Sequence, residues 1–178
     1  MSLSCPLECG YLQEAHQREK PVAISEKELA YPDILVTEEF IRDQEELLLF
    51  CIYSLVQAAL RTPGAIDTDV MSALEALIQT RRTLESGLVY ETRAENTTAA
   101  GVQHSFTASL SNYQKMREER EALSPVRNAE ILATLVFLYR VGQQNQNGRP
   151  RGRMFLDLLR QMMPDQDRVE EKASSIIL

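Results

Sequence analysis

Apolar residues recur at helical spacing through most of the chain from Thr37 to Pro164, and Pro, Gly or polar clusters mark where that spacing lapses. Thr37 followed by Glu38 and Glu39 predicts a helix start. A hydroxyl there accepts from the free N–H groups of the first turn, and the acids complement the positive helix end. The first long helix is predicted over Glu38 to Arg61. Its second half, Leu47 to Leu60, is apolar on nearly every side, as expected of a helix covered by neighbours, and is the predicted centre of the core.

Pro63-Gly64 ends that helix. Asp67 or Thr68 is the expected cap of a second, whose stripe reads Val70, Leu74, Leu77, Leu84 and Leu88, with Arg81 standing where an apolar residue is due. The pattern lapses at Asn96-Thr97-Thr98. It resumes as a third helix through Val102, Phe106, Leu110, Tyr113 and Met116, closing in the charged run Lys115 to Glu121, a solvated face. Ser124-Pro125 predicts the start of a fourth helix, because proline in the first turn loses no intrahelical bond. There Ile131, Leu132, Leu135, Val136, Leu138 and Tyr139 face inward. Arg149 to Arg153 is the joint to a short fifth helix carrying Met154, Phe155, Leu158, Leu159 and Met162, which Pro164 stops.

The expected fold is all-α, a bundle of about five helices. An irregular arm is expected over 1–36, a helical domain over 37–164 and a mobile tail over 165–178. The first two helices and the last two share one layout, apolar helix, breaker, amphipathic helix. An offset of 82 lays Leu55 on Phe137 and Leu77 on Leu159, but Leu48 then meets Glu130. Two related helical hairpins are therefore an open alternative.

Composition narrows the function classes. The 178 residues are 44% hydrophobic and 25% charged, with seven Gly and seven Pro, an ordinary globular mix. The net charge of −7 opposes general binding to a phosphate backbone, which depends on exchanging counterions for Lys and Arg. The acidity sits at the front, where residues 1–60 carry 11 acids against 4 bases, whereas 140–178 carry 5 against 7. Nucleic acid is thus a disfavoured partner. Three cysteines make no disulfide framework, and no apolar run approaches the roughly 20 residues of a membrane span, so a cytoplasmic protein without membrane contact is expected.

Candidate chemistry is sparse. Cys5 and Cys9 have thiolate spacing for zinc, but they make half a site. Only Cys51, His16 and His104 remain as further soft or imidazole ligands, so neither metal nor cofactor is expected. Neither histidine has an acid three residues before it, the pairing that bundle metal sites use. No phosphate loop, dinucleotide fingerprint, nucleophile elbow or zinc-protease helix occurs, and no catalytic residue is assigned. Arg149, Arg151 and Arg153, flanked by Arg140 and Arg160, are the candidate phosphate-binding group, on a joint that opens a helix N-terminus. Arg81, with Glu85 one turn on and Tyr90 beyond, is the candidate ligand-binding set. Its plainer reading is a stem packed at a domain edge.

The function expected from these features is a non-catalytic helical adaptor or regulatory domain acting through protein contacts and self-association, with a homo-oligomer or another protein as partner. Met154, Phe155, Leu159 and Met162 are its interface candidates, since methionine-rich helix faces suit adaptable contacts. The two alternatives are a regulator binding nucleic acid or phosphate through Arg149 to Arg160, and an enzyme or small-molecule binder with a pocket near Arg81.

Overall fold

The computed structural model describes residues 29–120, 124–145 and 151–163. Six helices account for most of them: α1 (Glu38–Asp43), α2 (Glu45–Arg61), α3 (Asp67–Glu85), α4 (Thr97–Glu119), α5 (Asn128–Asn145) and α6 (Met154–Met162), with no strand among the described residues. The protein is an all-α bundle. The strongest packing is of α3 on α5, α3 on α4 and α2 on α4. α2 and α3 do not lie along each other, so the bundle is not organised as two hairpins of consecutive helices. Cys5, Cys9, His16 and most of the N-terminal arm lie outside the described residues, as do Arg149 and the C-terminal tail.

Local chemistry explains most of the helix ends. The Thr37 hydroxyl accepts from the Phe40 N–H at 3.1 Å, as its position before two acids predicts. The single helix expected over Glu38 to Arg61 is two, because Gln44 leaves helical geometry with φ −106° and ψ 24°. No Gly or Pro marks that bend. Across the fold, the Gln44 amide donates to Glu130 at 3.4 Å.

The expected start of α5 at Ser124-Pro125 is also displaced, to Asn128. Glu130 explains it. Its carboxylate reaches back to accept the Arg127 N–H at 2.9 Å and the Arg127 guanidinium at 2.7 Å, the side-chain half of a capping box, so Arg127 occupies the cap. Burial works against ionisation of Glu130, but the hydrogen bonds and charge of Arg127 prevail and hold its carboxyl below the usual range.

The core is continuous. Cys51, Ile52, Leu55 and Val56 of α2, Leu74 and Ile78 of α3, Phe106 and Leu110 of α4, Ile131, Leu135 and Leu138 of α5, and Phe155 and Leu159 of α6 are fully enclosed. Each such aliphatic or aromatic side chain contributes about 1.5–3 kcal/mol over leaving it in water. α5 approaches its neighbours so closely at Gly142 that a Cβ there would collide with the Met71 sulfur and press on the Phe155 ring at 3.1 Å, which is why the helix tolerates a glycine in its interior.

One buried acid joins two helix starts. Asp67, at the first turn of α3 and 4% exposed, accepts the N–H groups of Phe155 and Leu156 on its two carboxylate oxygens, both at 3.0 Å, while its own N–H donates to the Gly152 carbonyl at 3.0 Å. The residue expected to cap α3 thus satisfies the free donors of α6, 88 positions away in the chain. Burial raises its carboxyl above the usual range, Asp157 adds to this, and the α6 N–H groups oppose it.

The described end of the arm is packed rather than loose. Arg140 donates to the carbonyls of Ala30, Tyr31 and Ile34 at 3.1, 2.9 and 3.0 Å. The Tyr31 ring meets Tyr139 edge-on at 5.6 Å, and Arg82 lies over Tyr31 while pairing with Asp33 at 2.9 Å. Arg140, expected to flank a phosphate grip, holds this segment instead.

Candidate functional site

α3 stops where its sequence stops supporting a helix. Gly87 takes φ +78°, a left-handed conformation that side chains resist. Its N–H donates to the Leu84 carbonyl at 3.0 Å and the Leu88 N–H donates to the Thr83 carbonyl at 2.9 Å, the two bonds of a Schellman cap. The helical stripe expected to continue through Leu84 and Leu88 therefore ends early. Leu84 is 41% exposed, Leu88 62%, Val89 94% and Tyr90 68%. The chain then runs without a turn from Leu88 to Ala94, through residues of high strand propensity, before Asn96 caps α4 by accepting the Ala99 N–H at 2.8 Å.

This segment is bonded along one edge only. The Thr83 hydroxyl donates to the Tyr90 carbonyl at 3.1 Å, and the Thr92 N–H donates to the Thr80 hydroxyl at 3.0 Å. Gln103 of α4, 4% exposed, donates from its amide nitrogen to the Thr92 carbonyl at 2.6 Å and accepts the Ala94 N–H on its amide oxygen at 2.9 Å. A buried side-chain amide thus offers a donor and an acceptor as a neighbouring strand would. In an extended chain the main-chain groups of alternate residues point to opposite edges. The inward edge is that of Leu88, Tyr90, Thr92 and Ala94. The outward edge is that of Val89, Glu91 and Arg93, whose main-chain groups have no hydrogen-bond partner among the described residues.

The ends of the segment are tied as well. The Glu95 N–H meets the Ser72 hydroxyl at 3.4 Å, and the Asn96 amide donates to Asp69 at 3.0 Å, whose other oxygen accepts the Ile66 N–H at 3.1 Å. A bare, strand-like edge fixed on two helices is open to pairing, since such edges attract other chains.

The residues expected to form a ligand site are partly brought together. Arg81 donates to the Asn128 side-chain oxygen at 3.3 Å, and the Asn128 amide donates to the Arg81 carbonyl at 3.0 Å and to Glu85 at 2.7 Å. Arg81 and Glu85 therefore clamp the start of α5. Burial lowers the Arg81 pKa, partly offset by Cys51. Tyr90 is apart from them, its carbonyl on Thr83 and its ring outside. Asn128, which completes the clamp, carries no periodic signal in the sequence.

A cleft of about 570 Å³ lies elsewhere, between the α1–α2 joint, the end of α4 and the start of α5, lined by Asp43, Glu46, Arg117, Pro125, Arg127 and Glu130 among others. Four of its charges are paired, Arg117 with Glu46 at 3.1 Å and Arg127 with Glu130 at 2.7 Å, while the Tyr113 hydroxyl donates to Glu46 at 3.1 Å.

Of the phosphate candidates, Arg151 and Arg153 are exposed beside the α6 start, and Arg151 has φ +63°. That helix start already holds the Asp67 carboxylate, so its anion site is filled from within. Of the interface candidates, Phe155 and Leu159 are 0% exposed, Met154 is half-buried and Met162 is 38% exposed. The apolar face of α6 completes the core against α2, α5 and α3. His104 is exposed on α4, and burial pushes the Cys51 thiol up to about 12. Among the described residues, no group of three or more His, Cys, Asp or Glu side chains is placed to hold a metal ion, and no helix is long and apolar enough to cross a membrane. Comparisons with protein-family models, with curated proteins and with solved structures find no match to this chain.

Proposed function

We propose that the chain is a non-catalytic interaction domain whose working surface is the extended segment 88–93, which receives a stretch of partner polypeptide along its outward edge. The observation that carries this reading is the combination of a pinned inner edge, fixed by Thr80, Thr83 and Gln103, with a free outer edge at Val89, Glu91 and Arg93. Edge addition gains affinity from main-chain hydrogen bonds, and a preformed edge lowers the ordering cost of binding. Among the described residues, four of the nine exposed large apolar side chains, Leu84, Leu88, Val89 and Tyr90, lie in or beside this segment, which concentrates contact area where the free edge is. A reducing, cytoplasmic setting belongs to the same reading, supported by Cys51 as a free thiol in the core.

Panning a random peptide library against the intact chain tests the proposal. It predicts enriched peptides with alternating β-branched or aromatic residues, and loss of their binding in Glu91→Pro, which removes one outward N–H while leaving every inward bond in place. The reading fails if nothing is enriched, or if enriched peptides bind Glu91→Pro as well as the parent.

A further inference from the structure

We infer that the outward edge of one copy pairs with the same edge of a second copy, antiparallel about a two-fold axis at Thr92, with Glu91 of each chain opposite Arg93 of the other. This rests on the interaction-edge reading and names its partner. The outward main-chain groups belong to Val89, Glu91 and Arg93, so a self-paired ladder places two of these residues opposite each other in a hydrogen-bonded pair. Five registers do so, but those centred on Val89 and on Arg93 make a single such pair, which leaves three. Centring on Glu91 sets two Glu91 carboxylates face to face, which is unfavourable. Centring on Tyr90 puts Glu91 against Val89 and leaves Arg93 without an opposite charge.

Centring on Thr92 gives two pairs of opposite charge, Glu91 with Arg93 in each direction, and two main-chain hydrogen-bonded residue pairs. Neither side chain has a hydrogen bond or ion pair within its own chain among the described residues, so both are available. The ladder is short, because the Glu95 N–H already turns inward to Ser72. A short isologous contact makes a weak dimer, and self-complementarity about a two-fold is what closes it at two copies.

Sedimentation equilibrium on the full chain, from about 10 μM to about 1 mM, reads the outcome, since weak complexes form in that range. The average mass is expected to climb from monomer toward dimer, less so at high salt. E91R alone and R93E alone each place like charges opposite one another in this register, and each is expected to remain monomeric. An equimolar mixture of the two is expected to recover the dimer, as a heterodimer, and the E91R/R93E double variant to recover it alone. Circular dichroism confirms that the variants keep their fold, as exposed side chains without partners should. A parent that stays monomeric at about 1 mM overturns the inference, as does a dimer indifferent to both reversals or a mixture that fails to re-associate. If the parent is monomeric but library peptides still bind and are lost in Glu91→Pro, self-pairing falls and the interaction-edge reading stands. If peptide binding also fails, both fall.

Discussion

Two apolar stretches of this chain exchange the roles that composition suggests for them. Met154 to Met162 has the methionine-rich, amphipathic character of a contact helix, yet its apolar face is swallowed by the core, with Phe155 and Leu159 fully buried. Leu84 to Tyr90 reads as the tail of a core-facing stripe, yet all four of its large apolar side chains, Leu84, Leu88, Val89 and Tyr90, stand in solvent. The difference lies in the backbone. α6 is drawn inward because Asp67 supplies acceptors for its first N–H groups, so docking leaves no orphan donor. After Gly87 the chain leaves the helix, and its main-chain groups find partners on one edge only. Apolar content sets how much a segment gains by burial. Where its hydrogen bonds go decides whether burial happens.

The comparison is easiest to break from the buried side. Phe155→Ala should destabilise the fold by roughly 3–5 kcal/mol, read by denaturant unfolding, because the ring is enclosed and pressed against Gly142. A loss below about 1 kcal/mol would mean that α6 is peripheral after all. Asp67→Ala should cost roughly 2–3 kcal/mol, since it strands two buried helix N–H donors. It should also raise proteolytic cleavage around 151–163 before global unfolding, and equal protection of that region in parent and variant would argue against the clamp.

On the exposed side the effects shrink. Gln103→Ala removes the bonds to the Thr92 carbonyl and the Ala94 N–H, for a loss of about 1–2 kcal/mol together with faster exchange of the Ala94 amide. Val89→Lys should move stability by less than about 0.5 kcal/mol in either direction, because the side chain is 94% exposed. A large loss in that variant would place Val89 in a contact that the segment's geometry does not contain.

Much of the bundle was legible in the sequence, and the exceptions share a cause. Helical spacing locates α2 to α6, since periodic apolar residues are a local record of a buried face. The break at Gln44 and the start of α5 at Asn128 are not legible that way. The first has no breaker residue and faces Glu130 across the fold, and the second depends on Glu130 outcompeting a good Ser-Pro start. The Arg81 and Glu85 pairing was visible from their one-turn spacing, but its partner Asn128 was not, being 47 positions from Arg81. Gly87 followed by Leu-Val-Tyr-Glu-Thr-Arg carries a readable signal, a left-handed helix stop and then a strand-like run, which the longer helical stripe obscured. Gln103 leaves no trace in the pattern, because a polar residue on a weak stripe looks the same whether it faces water or pins a backbone.

The central claim is that residues 88–94 run extended, with all of their main-chain hydrogen bonds on one edge and the other edge open. Residue-resolved amide exchange, followed by NMR at low and at high chain concentration, tests it directly. The account predicts slow exchange at Leu88, Thr92 and Ala94 throughout, with fast exchange at Val89, Glu91 and Arg93 in dilute solution and slowing at Glu91 and Arg93 as concentration rises. Uniformly fast exchange from Leu88 to Ala94, or slow exchange at Val89, Glu91 and Arg93 in dilute solution, would contradict it.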